Sequence, residues 1–381
     1  MKRKSSDIVL YSTSQEAWDA MSCAIKKASS SIYWEVYTFV DDDSGNTFIS
    51  LLKEKAKAGV VVKLLVDAFG SSELSKDAID AMTAVGVDVR LFSAQHTKNI
   101  LTRWQRLWTR THRKLLIIDE TVGFIGGVNI QHSMSTWKDI HVRVHGPAVR
   151  SLLRSFAKSY VIAGGKNADV QNLLKYKFRL AKSVEDLEFI YDEPNTKQSR
   201  VRKKYVEALT KARERVILFS PYYFPDRKFL RALWSARKRG IKVDLLIPFR
   251  SDIRIATYAA YALFSLMRHR GVRVHLMKDM MHGKGVIVDD DWAMIGSSNI
   301  DQTSFYDNYE ANIRFTDKHV VQQLKAIVTG WLSSSEMVQD NRWEHRGRYM
   351  RLKEWISLKL YRLWYRSNEK IDTVRKRRNN K

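Results

Sequence analysis

A chain of 381 residues exceeds one small domain, and two domains of ordinary size are expected. Hydrophobic residues make up 44%, which excludes a globally disordered protein, and the lone Cys23 excludes an internal disulfide and a Cys-based zinc site and suits a reducing compartment. A net charge of +25 draws polyanions, either nucleic acid or an anionic membrane surface, without choosing between them.

In chain order, residues 1–7 are basic, but the stretch after them is too polar for a signal peptide. Ala28 to Phe39 reads as a helix end running into an apolar strand. Gly59 then ends a helix, and an alternating strand continues through Leu65. Arg103-Trp104-Gln105-Arg106-Leu107-Trp108-Thr109-Arg110 interleaves cations with aromatics and leads into His112. Ala212 to Phe224 repeats the helix-to-strand pattern, and Arg239-Gly240-Ile241 to Leu246 repeats the glycine-ended helix and strand. Tyr258 to Met267 is the longest apolar candidate, and it is short enough for a core helix. Helices alternating with short β-branched strands predict α/β domains with buried sheets.

The halves share more than pattern. His112-Arg113-Lys114 and Asp119 form H-x-K-x4-D, and after six intervening residues comes Gly126, with Asn129 three further on. His282, Lys284, Asp289, Gly296 and Asn299 repeat all five positions at one offset of 170. So long a period reads as a duplicated domain rather than a solenoid. The expected division is a first domain over 1–165, a linker over 166–199, a second domain over 200–340 and a basic tail over 341–381.

On an extended segment, residues two apart share a face, so His112 and Lys114 project together, as do His282 and Lys284. Two such segments facing one another make a pocket for one phosphodiester. Lysines and Asn amides hold its oxygens, one neutral histidine attacks phosphorus, and a protonated one donates to the leaving oxygen. Two like groups in one site titrate apart, which supplies base and acid at one pH. The cationic side chains fill the place of a metal, so no metal or cofactor is expected. A lone H-x-K is ordinarily a solvent-facing feature of a basic protein; the doubled five-position pattern sets this one apart.

With its two motif copies, the chain resembles the phospholipase D superfamily over roughly residues 5–335, and is most similar to bacterial cardiolipin synthases of the short kind without N-terminal transmembrane helices. Gly59-Val60, Asp67 to Gly70, Phe124 to Asn129, Trp292 to Asp301 and Asn308 to Asn312 carry the resemblance beyond the motifs. It implies two tandem α/β/α sandwich domains packed as a pseudo-dimer around one shared active site. It implies His112 as the nucleophile that forms a phosphohistidine with a phosphatidyl group. His282 then protonates departing glycerol and later deprotonates the incoming alcohol. Lys114, Lys284, Asn129 and Asn299 bind phosphate, with Gly126 and Gly296 beside them. Asp119 and Asp289 are expected to support the site by fixing a ring tautomer or an ammonium. Glu310 and Asp139 are alternative orienters of the histidines.

His141 and His145 fall on one strand face with Arg143 between them, and that cation opposes a metal. The Arg-Trp run before His112 suits a membrane-facing lip as well as base stacking. From Arg342 to Lys381 there are 14 Lys and Arg against four acidic residues, with Tyr349, Leu352, Ile356, Leu360 and Leu363 at helical spacing and Trp355, Trp364 and Tyr365 among them. This predicts a basic amphipathic helix on an anionic membrane, against the simpler reading of a helix packed on the catalytic domains. The expected activity is cardiolipin synthesis from phosphatidylglycerol, peripheral on the cytoplasmic face of a bacterial membrane. The alternatives are a phosphodiesterase hydrolysing phospholipid or nucleic acid, and a binding protein with a dead site. Nucleic acid is disfavoured by the tail and the whole-chain resemblance.

Overall fold

In the computed structural model, which describes residues 8–92, 109–174, 186–194, 198–338 and 347–360, the short aliphatic runs form buried strands and the amphipathic stretches form helices. The first half carries seven strands: β1 (Ile8–Thr13), β2 (Ser31–Val36), β3 (Val61–Asp67), β4 (Asp88–Phe92), β5 (Leu115–Ile118), β6 (Val122–Gly126) and β7 (Lys138–His145). They form one sheet in the order β1-β7-β6-β5-β2-β3-β4. β2, β3 and β4 run parallel, and β5 to β7 fold back antiparallel from β2. β2 and β5 are buried at every residue, as a sheet covered on both faces requires.

The second half adds β8 (Leu187–Asp192), β9 (Arg215–Phe219), β10 (Tyr223–Phe224), β11 (Lys242–Pro248), β12 (Arg273–Met277), β13 (Gly285–Val288), β14 (Trp292–Gly296), β15 (Ile300–Asp301), β16 (Glu310–Phe315) and β17 (Ser335–Met337). Its main sheet runs β17-β12-β11-β9-β13-β14-β16-β8. Strand for strand, β12 through β8 in that order repeats β4 through β1, and β17 is an added edge. The duplication read from five positions therefore extends to the whole sheet.

One boundary shifts. β8 falls in the stretch expected to be linker, yet it pairs antiparallel with β16 along six residues and is the counterpart of β1. Its mixture of buried and half-buried residues suits an edge strand, and it supplies the outer ladder of the second sheet. Glycines end helices where expected: Gly59 and Gly240 take φ of +87° and +85°, a conformation that costs glycine little.

Helices cover both faces of each sheet. In the first half the helices Ser14–Lys27 and Asp43–Lys57 bury Trp18, Met21, Phe48 and Leu52 against the outer face. In the second half Tyr205, Leu209, Phe229 and Phe264 do the same. The inner faces meet. Phe156 and Tyr160 of the helix Val149–Ile162 and Leu324 and Trp331 of the helix Lys318–Ser333 join Phe219, Leu246 and Ile313 in one apolar cluster spanning both halves. Each fully buried aromatic or leucine contributes about 1.5–3 kcal/mol, so the shared interior holds the two α/β/α domains together as a pseudo-dimer.

Candidate active site

The motif histidines are fixed at the seam between the halves by two reciprocal backbone bridges. Thr111 pairs in parallel with Tyr309, and Lys138 pairs in parallel with Met281. The His112 N–H donates to the Tyr309 carbonyl at 2.9 Å, and the His282 N–H donates to the Lys138 carbonyl at 2.7 Å. Each bridge sets a motif histidine beside an acid from the other half. His112 Nδ1 lies 3.0 and 3.1 Å from the two carboxylate oxygens of Glu310. His282 Nδ1 lies 2.7 Å from Asp139 Oδ2. The two orienting acids considered from sequence thus do meet the histidines, and they do so crosswise. Neither half completes its own histidine.

All four groups are buried. Burial lowers the His112 pKa to about 4 despite the Glu310 charge beside it, so its ring is neutral at pH 7. Burial and then the Lys284 charge lower His282 as well. Burial works to raise Glu310 and Asp139, but the facing imidazole, a lysine charge and further hydrogen bonds together outweigh it, and both carboxyls are held below their usual range. A carboxylate facing Nδ1 accepts a hydrogen bond from the ring N–H and so keeps the proton on Nδ1, leaving the lone pair on Nε2. A neutral imidazole with Nε2 unprotonated is the form that attacks phosphorus.

Lys114 Nζ donates to the His112 carbonyl at 2.8 Å, and Lys284 Nζ donates to the His282 carbonyl. Burial followed by the charge of Lys284 lowers Lys114 to about 7; burial lowers Lys284 to about 8. A buried cation close enough to lower its neighbour describes a single electropositive site, and an anion bound there favours both charged forms. Asn129 and Asn299 are buried next to this seam. The Asn129 side-chain oxygen accepts the Thr38 N–H at 3.2 Å and its carbonyl accepts the Trp18 indole N–H at 2.9 Å. That anchoring leaves its amide nitrogen as the group able to donate to a phosphate oxygen.

Four expected site residues do something else. Asp119 and Asp289 stand at the far ends of β5 and β13, roughly 15 Å along the strand from the lysines, and touch neither ring nor ammonium. Asp119 accepts the backbone N–H groups of Ser29, Ser30 and Ser31 at 2.7–3.2 Å. Asp289 accepts those of Arg213, Glu214 and Arg215 at 2.9–3.1 Å. Their φ values of +48° and +51° place both in the left-handed turn conformation that aspartate tolerates. They pin the start of β2 and β9. Gly126 and Gly296 face the neighbouring strand: a Cβ there would meet the Ile140 carbonyl at 2.3 Å or the Ala311 carbonyl at 2.5 Å. Each glycine permits close approach of the neighbouring strand.

The next position in each copy is more informative. A Cβ on Gly127 would meet Asp139 Oδ1 at 2.2 Å, so the glycine clears space for the acid on His282. Its counterpart Ser297 instead hydrogen-bonds to Glu310, the acid on His112.

Other residues of the site carry no motif signal. Tyr37 lies edge-on to His112 at 5.0 Å, and Trp137 packs on His282 at 5.4 Å. Both end or precede strands at the seam, and nothing in their local sequence marks them. Arg113 is buried and joins the halves: it donates to the Glu310 carbonyl at 3.3 Å, to Ser159 Oγ at 3.0 Å and to the Asp192 carbonyl at 3.2 Å. Asp67 Oδ2 accepts the Thr111 N–H at 2.9 Å, tying the end of β3 to the residue before His112. His141 is buried on β7 opposite Gly126, and its Nδ1 accepts the Val128 N–H at 3.4 Å. Residues 103–108 of the Arg-Trp run lie outside the described residues, as do 361–381 of the tail with Leu363, Trp364 and Tyr365.

Comparison with known proteins gives the family. A family model described as cardiolipin synthase, PLD-like domain, matches residues 21–161 and 205–331. The chain is similar to cardiolipin synthase of Alkalihalophilus pseudofirmus, 32% identical over 364 residues that cover 92% of this chain and 71% of that protein. It is 31% identical over 320 residues to cardiolipin synthase of Clostridium perfringens, covering 81% of this chain and 66% of the relative. It thus spans roughly two thirds of the length of these relatives. Among solved structures, phosphatidylserine synthase of Haemophilus influenzae aligns with a TM-score of 0.72 at 12% identity, covering 98% of this chain and 96% of the other. Polyphosphate kinase of Porphyromonas gingivalis aligns with a TM-score of 0.58 at 13% identity, covering 95% of this chain and 53% of the other. At those identities the likeness is one of fold.

Proposed function

The chain belongs to the family of phospholipase D-like cardiolipin synthase domains and is an enzyme of the phospholipase D superfamily; from that premise we propose that it is a phosphatidyltransferase that makes cardiolipin from phosphatidylglycerol through a phosphohistidine. The observation that carries the proposal is the crosswise arrangement of two carboxylate-bound histidines above two buried lysines.

Lys114 and Lys284 hold the non-bridging oxygens of the donor phosphodiester, with Asn129 and Asn299 beside them. His112 Nε2 attacks phosphorus as the bond to the glycerol oxygen breaks. His282, protonated once an anionic phosphate lies against it, gives its Nε2 proton to that oxygen, and glycerol leaves. Asp139 stabilises the imidazolium, and Glu310 stabilises the positive charge that develops on His112. A hydroxyl of a second phosphatidylglycerol then loses its proton to His282, its oxygen attacks phosphorus, the P–N bond breaks and His112 returns to its starting state. Water reaching the intermediate yields phosphatidic acid instead, so the site must be closed by lipid during transfer. The enzyme works on the membrane surface; among the described residues no helix is long and apolar enough to cross a membrane.

The test is to incubate the chain with phosphatidylglycerol vesicles and, separately, with single- and double-stranded DNA. Cardiolipin and glycerol in equal amounts are expected. DNA cleavage with no lipid turnover would reject the proposal in favour of a nuclease, and phosphatidic acid alone would make the enzyme a hydrolase.

A further inference from the structure

The helical residues 348–360 are turned the opposite way from a helix that merely packs on its domain. Glu354 and Ser357 are buried, and Leu358 packs on the second half, while Leu352, Trp355, Ile356 and Leu360 are 51%, 52%, 41% and 49% exposed. The polar side faces the protein and the apolar stripe faces out, with Arg348 and Lys359 along its border.

The position of this helix ties it to the site. Lys353 lies 5.7 Å over the ring of Tyr258, in the second turn of the helix Arg254–His269. That helix begins just beyond the C-terminal end of β11. β13, which comes after His282, runs antiparallel to β9, so the motif histidine also lies at the C-terminal end of the parallel strands. The helix and the catalytic seam therefore occupy one end of the second sheet.

The loops at this end are apolar and cationic too. Phe69, after β3, is 64% exposed beneath the Arg110 guanidinium at 4.4 Å. Phe249, after β11, is 43% exposed, with the Arg250 guanidinium 5.7 Å from its ring. Ile253 and Ile255 are each 51% exposed beyond it. Just before them Asp252 accepts the Tyr222 hydroxyl at 2.6 Å, which fastens the loop to the strand end beside Ser220. Aromatic rings under guanidinium groups are suited to the boundary between lipid headgroups and acyl chains.

We propose that Phe69, Phe249, Ile253, Leu352, Trp355 and Ile356 form one docking face for an anionic lipid bilayer, which turns the mouth of the active site toward the membrane. The choice of lipid as partner rests on the functional reading above; the charge pattern supports it independently. A second copy of this chain would oppose Arg348, Arg351 and Lys359 to themselves, and a net charge of +25 opposes self-association. An anionic surface pairs with those cations while the apolar stripe enters the headgroup boundary.

The test is flotation of the full chain with vesicles of equal parts phosphatidylserine and phosphatidylcholine, and with phosphatidylcholine alone. The chain is expected to float with the first and weakly with the second. Leu352→Glu with Ile356→Glu, and separately Ile253→Glu with Ile255→Glu, should each raise the lipid needed for half-binding at least tenfold, and Ile253→Trp should lower it. The tail double variant should still turn over short-chain phosphatidylglycerol dispersed as monomers. Unchanged binding in both double variants, or no flotation of the parent chain, would overturn the proposal. So would a concentration-dependent dimer abolished by Leu352→Glu with Ile356→Glu while vesicle binding persists. Binding is read without turnover, so a chain that docks but makes no cardiolipin contradicts the functional reading alone.

Discussion

His112 and Glu310 stand 198 residues apart in the chain and meet at 3.0 Å, across the seam between the halves. Asp139 and His282 repeat the contact in the opposite sense, 143 residues apart, at 2.7 Å. The catalytic unit is therefore the pair of halves.

Replacing either acid by its amide tests this relationship. Glu310→Gln and Asp139→Asn keep the shape but remove the charge that fixes the ring proton and stabilises an imidazolium. Each should lower kcat by about 10²–10⁴-fold with little change in KM, as expected for groups that act through a histidine. The pH–rate profile should also move, because each variant loses the neighbouring charge that raises the pKa of its histidine. A rise in KM at constant kcat would assign the acids to substrate binding instead.

The depressed lysines set a pH dependence for anion binding. Lys114 is lowered to about 7 and Lys284 to about 8, so their charges are lost as pH rises through that window. Sulfate keeps its charge there. Its affinity, read by titration calorimetry, should fall at least about tenfold between pH 6.5 and pH 9. Flat affinity would mean the lysines stay charged or do not meet the anion.

At the glycine beside Asp139 the space is already filled. Gly127→Ala puts a methyl where Asp139 Oδ1 now lies, 2.2 Å away, and should push the acid off His282. Transfer should fall at least tenfold with the fold retained by circular dichroism. Ser297→Ala removes the hydroxyl that donates to Glu310 and accepts the Ala311 N–H, leaves the carboxylate in place, and should cost severalfold. Equal effects at the two positions would contradict their different roles.

Asp119 should matter for stability rather than chemistry. Asp119→Ala leaves three N–H groups at the start of β2 without their acceptor and should cost about 1–2 kcal/mol, by analogy with a lost cap. Burial tends to raise its carboxyl, but the hydrogen bonds from Ser31, Ser30 and Ser29 outweigh it and hold the pKa at about 2. A lowered folded-state value gives stability that is present above the unfolded value of about 3.9 and lost as pH falls toward 2. The Tm gap between parent and variant should accordingly narrow below pH 4. A variant of unchanged Tm with abolished turnover would return Asp119 to the site.

Legibility in the sequence differs from feature to feature, according to what each depends on. The histidines and lysines are readable because a two-residue spacing on extended backbone sets their common face. The same spacing rule carries Asp119 and Asp289 to the far end of a strand, where a turn can use them; five shared positions make them look like one functional set. The crosswise acids can be nominated by their distance past the asparagines, but pairing across the seam is a tertiary fact. β8 reads as linker because an edge strand needs only a weak alternation, and the polar run after it resembles a boundary. Tyr37, Trp137 and Arg113 escape a sequence reading because aromatic or basic residues near strand ends are ordinary in any α/β protein. The tail helix is amphipathic by its spacing, yet which side faces the protein depends on where Glu354 and Ser357 are buried.

The most direct measurement is rapid quenching of the chain with phosphatidylglycerol, then mass-spectrometric mapping of the modified peptide. A phosphatidyl adduct on His112 is predicted, formed with one glycerol released per adduct, absent from His112→Ala and slow to form and discharge in His282→Ala. Full turnover by His112→Ala, or an adduct on any residue other than His112, would contradict this mechanism.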